Sequence, residues 1–281
     1  MTYRNVKKQI KGIATADGAG VQLIRLIGSP ELNMHDPFLL FDEFKSLNAD
    51  DYIGGFPDHP HRGFETVTYM IEGKIRHKDN AGHEGVIGPG GVQWMTAGKG
   101  VIHSEFPEQE NGMLWGIQLW LNLPASEKMT EVNYQEFDKA SIPEEQRDNG
   151  VLLKVVSGLT SQNTQGPVSN IQSQQNLFVI ELGKQAEFVE PIAANLNAIL
   201  FVFDGELNIV SDDGIQALSQ GMLAVLGEGG QLKLSTNDDP ARCLLIFAPP
   251  LNEPVVRAGP FVMNTREEIM QANHDYQSGQ F

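Results

Sequence analysis

The sequence predicts an all-β protein, a barrel or a sandwich, on three observations. Glycine and proline are plentiful, 29 and 15 in 281 residues, and are spread along the chain rather than clustered. Between them run short segments of Val, Ile, Leu, Phe, Tyr and Thr, the residues that fit a pleated, half-buried surface. Sustained helical periodicity is nearly absent. In chain order the strand-like segments are residues 64–71, 86–87, 92–95, 114–121, 152–156, 177–182, 199–203, 222–226 and 243–247. Many short strands punctuated by turn residues are the pattern of sandwiches and barrels.

Two regions break it. Residues 124–150 are polar, carry charges of both signs and form the best linker candidate. They include Ser141-Ile-Pro-Glu-Glu, which reads as a capping box with proline in the first turn of a helix. Near the C-terminus, Thr265-Arg-Glu-Glu268 reads as a second capping box opening a short helix.

The chain also repeats itself. Thr68-Tyr-Met-Ile-Glu-Gly73-Lys-Ile aligns with Leu200-Phe-Val-Phe-Asp-Gly205-Glu-Leu, and Gly91 then falls opposite Gly221. Each copy reads strand, acidic-Gly turn, strand, Gly turn, strand, which suggests two similar barrels. A length of 281 residues accommodates two ordinary domains.

Composition narrows the function. With 41% hydrophobic and 20% charged residues the chain is globular. Its formal net charge of −16, with no basic run, argues against direct contact with nucleic acid, which needs Lys and Arg for phosphate. The N-terminal Met-Thr-Tyr-Arg-Asn-Val-Lys-Lys lacks the apolar core of a signal peptide, and no apolar run has the length of a membrane span. One cysteine, Cys243, excludes an intramolecular disulfide and a cysteine-based zinc site; within Cys-Leu-Leu-Ile-Phe it reads as a buried small hydrophobe. The expectation is a cytoplasmic protein. A two-barrel chain covers its own sheets, so a monomer is expected.

The chemistry concentrates in two short segments. Phe56-Pro-Asp-His-Pro-His-Arg-Gly-Phe-Glu65 and His103-Ser-Glu105 hold three of the seven histidines. Residues two apart on a strand point to one face, so His59 with His61, and His103 with Glu105, can each aim two donors at one point. His-Pro-His alone could be a polar turn. The second pair, however, lies among Val101, Ile102 and Phe106, and a buried histidine and glutamate need a partner. Two such strands facing each other would make a cage of three nitrogens and one oxygen, which suits a transition metal rather than calcium. In the register of the repeat, His59 falls opposite Pro191, His61 opposite Ala193, His103 opposite Lys233 and Glu105 opposite Ser235. Only the first copy then carries the ligands.

Gly54 to Glu65, as Gly-x4-His-x-His-x3-Glu, approximates the first motif of cupins, and Pro89-Gly-Gly91 resembles the start of the second. His103, twelve residues after Gly91, comes later than the common cupin pattern places it. The whole run is similar instead to the pirin family, through residues 54–67, 93–105, 118–123, 126–129 and 253–265. The resemblance implies a bicupin: two tandem cupin-type β-barrels (double-stranded β-helices) with a short linker and C-terminal helices. The expected division is an N-terminal metal-binding barrel over residues 1–135, a linker over 136–149, and a C-terminal barrel over 150–281 without metal ligands.

It further implies iron, as Fe2+, held by His59, His61, His103 and Glu105, although such donors also suit other divalent transition metals. Glu65 shares the strand parity of His59 and His61 and is the ligand in common cupins. In pirins the resemblance favours Glu105, leaving Glu65 in the pocket wall or orienting a histidine. Some pirins are quercetin 2,3-dioxygenases, cleaving a flavonol with dioxygen and releasing carbon monoxide. For that reaction Glu105 is the catalytic residue, taking the proton of the 3-hydroxyl. Others are regulatory partners of transcription factors or metabolic enzymes, which makes a redox-sensing binding protein the rival expectation. A metal that merely braces the barrel is a third.

The other polar residues read more plainly. His35 sits in a turn, His77 and His83 flank a solvated hairpin tip around Asp79-Asn-Ala-Gly82, and His274 lies in the tail helix. Arg62, Trp94 and Gln118 are expected either in a pocket wall or in ordinary packing.

Overall fold

The computed structural model describes residues 2–169 and 173–281. In chain order the strands are β1 (Val6–Ile10), β2 (Ile13–Asp17), β3 (Val21–Ile27), β4 (Phe38–Ser46), β5 (Phe56–His61), β6 (Phe64–Glu72), β7 (Ile75–Asp79) and β8 (Glu84–Ile87). There follow β9 (Val92–Thr96), β10 (Val101–Pro107), β11 (Leu114–Asn122), β12 (Asn133–Phe137), β13 (Glu144–Arg147), β14 (Val151–Ser157), β15 (Asn176–Leu182) and β16 (Glu187–Pro191). The last are β17 (Asn197–Asp204), β18 (Glu206–Ser211), β19 (Gly214–Ser219), β20 (Leu223–Leu226), β21 (Gln231–Ser235), β22 (Ala241–Ala248), β23 (Val256–Ala258) and β24 (Phe261–Met263), before helix α1 (Arg266–Gln277). The fold is all-β, as its apolar runs between turn residues require.

The chain divides into two compact units of the same plan. In the first barrel a seven-stranded sheet, β12-β9-β6-β11-β4-β3-β2, accompanies a four-stranded sheet, β5-β10-β7-β8. In the second, β1-β20-β17-β22-β15-β14-β13 accompanies β16-β21-β18-β19. The two orders match strand for strand, so the sequence repeat is a duplicated barrel. The turns after β6 and β17 fall at Gly73 (φ 80°) and Gly205 (φ 74°), a left-handed conformation open to glycine. The match slips by one residue further on. The counterpart of Gly221, whose amide donates to the Val202 carbonyl at 2.7 Å, is Gly90, which does the same to Met70 at 2.7 Å.

The boundaries of these units differ from 1–135, 136–149 and 150–281. The N-terminal residues through Gly12 belong to the second unit, because β1 completes its sheet beside β20, the place β12 holds beside β9 in the first. Leu251–Phe281 belong to the first unit. Within the expected linker the helix start at Ser141 does not form. Lys139–Ser141 make one 3-10 turn, and Glu144 enters β13 opposite Lys154 of β14. The neighbouring carboxylate, Glu145, is held by Arg147 at 2.6 Å and by the Thr160 hydroxyl, so strand pairing overrides the local capping pattern. At Thr265 the capping box does form: its hydroxyl accepts from the Glu268 amide at 3.2 Å and Glu268 accepts from the Thr265 amide at 2.9 Å. The helix it opens, α1, is the single α-helix among the described residues.

The interiors differ in kind. The second barrel is filled by one continuous apolar cluster that includes Phe188, Leu207, Ile209, Leu232 and Leu234. The first has smaller clusters, one around Val21, Phe44, Tyr52 and Met70 and another around Met95, Ala97 and Val101. Polar side chains interrupt it, and burying them carries a cost that needs a reason.

Candidate metal centre

Prolines set the edge of the site. Pro57 and Pro60 lack the N–H a central strand must donate, so β5 lies at the edge of its sheet and pairs with β10 alone. The pairing sets Val101 opposite His61 and His103 opposite His59, with a register shift before Glu105. The two ligand-bearing strands are thus neighbours in one sheet, rather than strands facing each other. At the end of β5, Gly63 (φ 85°) reverses the chain into β6.

Donor atoms of His59, His61 and His103 all lie within 4.8 Å of one another. No other grouping of three metal-binding side chains occurs among the described residues. The Nδ1 of His59 lies 2.8 Å from the Pro57 carbonyl, which makes it the N–H nitrogen and leaves Nε2 with its lone pair. His61 and His103 are buried, with Nδ1 of His61 and both ring nitrogens of His103 lacking hydrogen-bond partners. Burial, reinforced by the neighbouring histidines, pushes both pKa values well below the usual 6.5, so the imidazoles stay neutral. Neutral imidazoles converging with unsatisfied lone pairs are costly unless a cation completes them. This donor set fits a divalent transition metal ion.

Glu105 stands outside the three-histidine grouping but lines, with His59 and His61, a cavity of about 400 Å³. Burial raises its pKa above the usual carboxylate value, opposed by the nearby His59 and His77. The Thr68 hydroxyl lies 3.3 Å from Glu105 Oε1 and 2.7 Å from the side-chain oxygen of Gln118. Glu65 is placed elsewhere. It accepts from the Thr96 hydroxyl at 2.9 Å and lies three residues from Thr68 on β6, hence on the opposite face. Its parity with His59 and His61 does not survive the reversal at Gly63, and it is not in the cavity wall.

The expectation for His77 is corrected, and the alternatives open for Arg62, Trp94 and Gln118 are decided. His77 is not solvated: on β7 it faces the interior directly opposite Glu105, is 1% exposed, and pairs with Glu136 at 2.5 Å. The alternation of β7, with Ile75, His77 and Asp79 all inward, was the available signal. Arg62 does not line the cavity. It donates to Asp275 of α1 at 2.7 Å and to the Lys99 carbonyl at 2.6 Å. Trp94 is fully buried outside the cavity, whereas Gln118 does line it. The inward positions of the second barrel also differ from the sequence register. They are Phe188, Glu190, Leu232 and Leu234, with Glu190 bound to Arg147 at 2.6 Å. No helix among the described residues is long and apolar enough to cross a membrane.

Two cupin-type barrels in tandem, with a three-histidine centre, among the described residues, in the first alone, define a bicupin with a candidate metal site. The chain belongs to the pirin family: the Pirin model matches residues 20–121, and that of the pirin C-terminal cupin domain matches residues 177–281. It is 52% identical, over the full length of both chains, to a pirin-like protein of Caulobacter vibrioides. A Pseudomonas aeruginosa protein provisionally named a quercetin 2,3-dioxygenase is 41% identical, across 99% of this chain and 98% of its own. The crystal structure of a quercetin 2,3-dioxygenase from Acinetobacter baumannii superposes with a TM-score of 0.88 at 31% identity, covering 99% of this chain and 98% of that one.

Proposed function

We propose that this protein is an iron(II)-dependent dioxygenase that cleaves flavonol-type enols with dioxygen, with His59, His61, His103 and Glu105 as the metal ligands. The observation that carries the reading is the convergence of three imidazoles, two of them buried, neutral and with ring nitrogens lacking partners, beside a cavity of ligand size that His59 and His61 line. The names borne by the Pseudomonas and Acinetobacter relatives support the substrate class. A bound metal would supply Lewis acidity toward an enol oxygen and one-electron chemistry toward dioxygen.

The chain's own residues supply the rest. Glu105 is the proton acceptor. Its raised pKa, caused by burial, brings it nearer to that of an acidic enol than an exposed carboxylate would be. Thr68 and Gln118 set its orientation. The Thr68 hydroxyl has a single proton and two oxygens within reach, so it can donate to only one. With the Gln118 amide turned so that its NH2 donates to Thr68, that hydroxyl proton is free for a charged Glu105. When Glu105 takes up the substrate proton, the same hydroxyl can accept instead. Trp120 and Phe44 give the cavity aromatic walls suited to a planar substrate.

The test is quercetin turnover by the iron-loaded protein, followed by flavonol absorbance and dioxygen uptake, with Glu105→Gln beside it. Saturable turnover is expected, reduced on the order of 10²-fold or more in the variant at equal iron content. A variant that keeps its iron and the parent rate overturns the role of Glu105. No turnover by a fully loaded parent overturns the enzyme in favour of a protein-binding role.

A further inference from the structure

The cavity wall holds a cation that the proposed chemistry leaves unused. Arg257, on β23, stacks its guanidinium over the ring of Trp120 at 4.6 Å and lines the cavity with Gly259 and Pro260. Among the described residues its one hydrogen bond is a long one, from Nη1 to the Leu39 carbonyl at 3.5 Å. Among the described residues no carboxylate lies within ion-pairing distance of it. The two nearest acids are already engaged. Arg25 donates to both oxygens of Asp42, at 2.9 and 2.7 Å, and to Asp17 at 2.9 Å. Crowding and the charge of Arg25 make the guanidinium less comfortable than in water, with its pKa pushed down by burial first. A planar fork stacked on an aromatic face, with its donors unspent, is the arrangement that receives a carboxylate.

Its position relative to the histidines sets what the ligand looks like. Trp120 touches both partners: its ring centroid is 5.1 Å from that of His61 and 4.6 Å from the guanidinium. The cation therefore sits about one aromatic side chain away from the imidazoles. His61 is buried, whereas Arg257 keeps part of its surface exposed with its guanidinium partly covered, so the cation lies nearer to solvent than that imidazole.

We infer that the physiological substrate is a planar aromatic enol bearing a carboxylate at the end remote from the reacting hydroxyl, and that Arg257 is the specificity residue that binds this carboxylate. The inference rests on the dioxygenase reading for its enol end only.

The experiment is anaerobic binding to the full-length, iron-loaded protein, so that affinity is read without turnover. The probes are 3-hydroxyflavone bearing a carboxylate on its pendant ring and the same compound with a carboxamide there. The parent is expected to bind the acid about tenfold more tightly than the amide, the size of a charge-assisted contact at a partly exposed site. In Arg257→Gln the two affinities should converge, with that for the amide unchanged within about twofold and the preference for acid lost. Equal affinities in the parent, or a preference that survives Arg257→Gln, overturns the inference. If neither probe binds, the flavonol-type reading falls with it. If the preference is found but aerobic turnover is not, the anion site stands and the dioxygenase reading fails alone.

Discussion

His59 and His103 are direct partners across the β5–β10 ladder, with ring centroids 4.4 Å apart. The equivalent strand of the second barrel, β21, turns Leu232 and Leu234 inward into a continuous apolar core. One architecture thus carries either a filled core or a site, and the choice is made at a few inward positions. The first barrel gives up apolar packing and leaves imidazole nitrogens unsatisfied. Replacing His103 by leucine should reverse both effects. The expected outcome is loss of metal binding together with a metal-free protein about 1–3 kcal/mol more stable than the metal-free parent. Metal analysis and urea titration of both proteins check it. A metal-free His103→Leu less stable than the parent would mean that the histidine is packed or bonded as a structural residue.

Acid should unfold the metal-free protein through the same groups. His61 and His103 are held well below their usual 6.5 in the fold, mainly by burial. As pH falls below about 6.5 the unfolded chain takes up protons that the folded chain refuses, so stability drops. Glu105 runs the other way. Its raised value stabilises the fold at low pH, and that contribution fades as the pH rises above its usual 4.5. The two contributions have opposite signs, and removing the histidines isolates theirs. Urea midpoints at pH 7.5 and 5.5 should differ in the metal-free parent and differ less in a His61→Leu, His103→Leu double variant. Saturating divalent metal should raise the midpoint and steepen its fall with acid, because protons compete for the same nitrogens.

The strands most legible in the sequence were those covered on both sides. β17 is a near-continuous apolar run and β6 is rich in aromatic, aliphatic and β-branched residues, because each is interior to its sheet and buried along most of its length. β4 went unread because Asp42 and Glu43 interrupt Phe38–Phe44, and both are buried. Asp42 is carried by Arg25 and Glu43 by the Trp115 indole at 2.9 Å, partners distant in sequence and so invisible to a local pattern. The three histidines were legible because strand periodicity alone puts His59 with His61 and marks His103. The parity of Glu65 with His59 and His61 does not carry across because one glycine, Gly63, resets the periodicity between two consecutive strands. Arg257 gave no local signal. Its meaning comes from Trp120, which β11 delivers from the other end of the first unit's sequence.

Lys128 should be among the most sensitive positions in the first unit. It is 1% exposed, yet no carboxylate accepts from it. Its Nζ donates to the Gly63 carbonyl at 2.8 Å, the Val262 carbonyl at 2.9 Å and Asn122 Oδ1 at 2.7 Å. Burial pushes its pKa down to about 8. Three hydrogen bonds to neutral oxygens hold the turn after β5 against β24. Lys128→Met fills similar volume but strands all three acceptors, at a net cost of about 2–4 kcal/mol. Urea titration reads the loss. A cost below about 1 kcal/mol would mean that the acceptors find other partners.

Gly63 links that anchor to the histidines, and two glycine substitutions separate its possible roles. At φ 85° any side chain is strained, by about 1–2 kcal/mol. A Cβ at Gly63 would in addition stand 2.1 Å from the Val262 carbonyl oxygen, closer than atoms can approach. At Gly82 the conformation is similar, φ 92°, but nothing lies within 4 Å of a Cβ. Gly82→Ala therefore reports backbone strain alone, about 1–2 kcal/mol, with metal affinity intact. Gly63→Ala must also displace β24 or the turn itself, two residues from His61. It is expected to cost at least about 3 kcal/mol and to weaken metal binding about tenfold or more, by denaturant titration and metal competition against a chelator. Equal losses in the two variants would show that Val262 yields freely and that the tail strand does not set the position of His61.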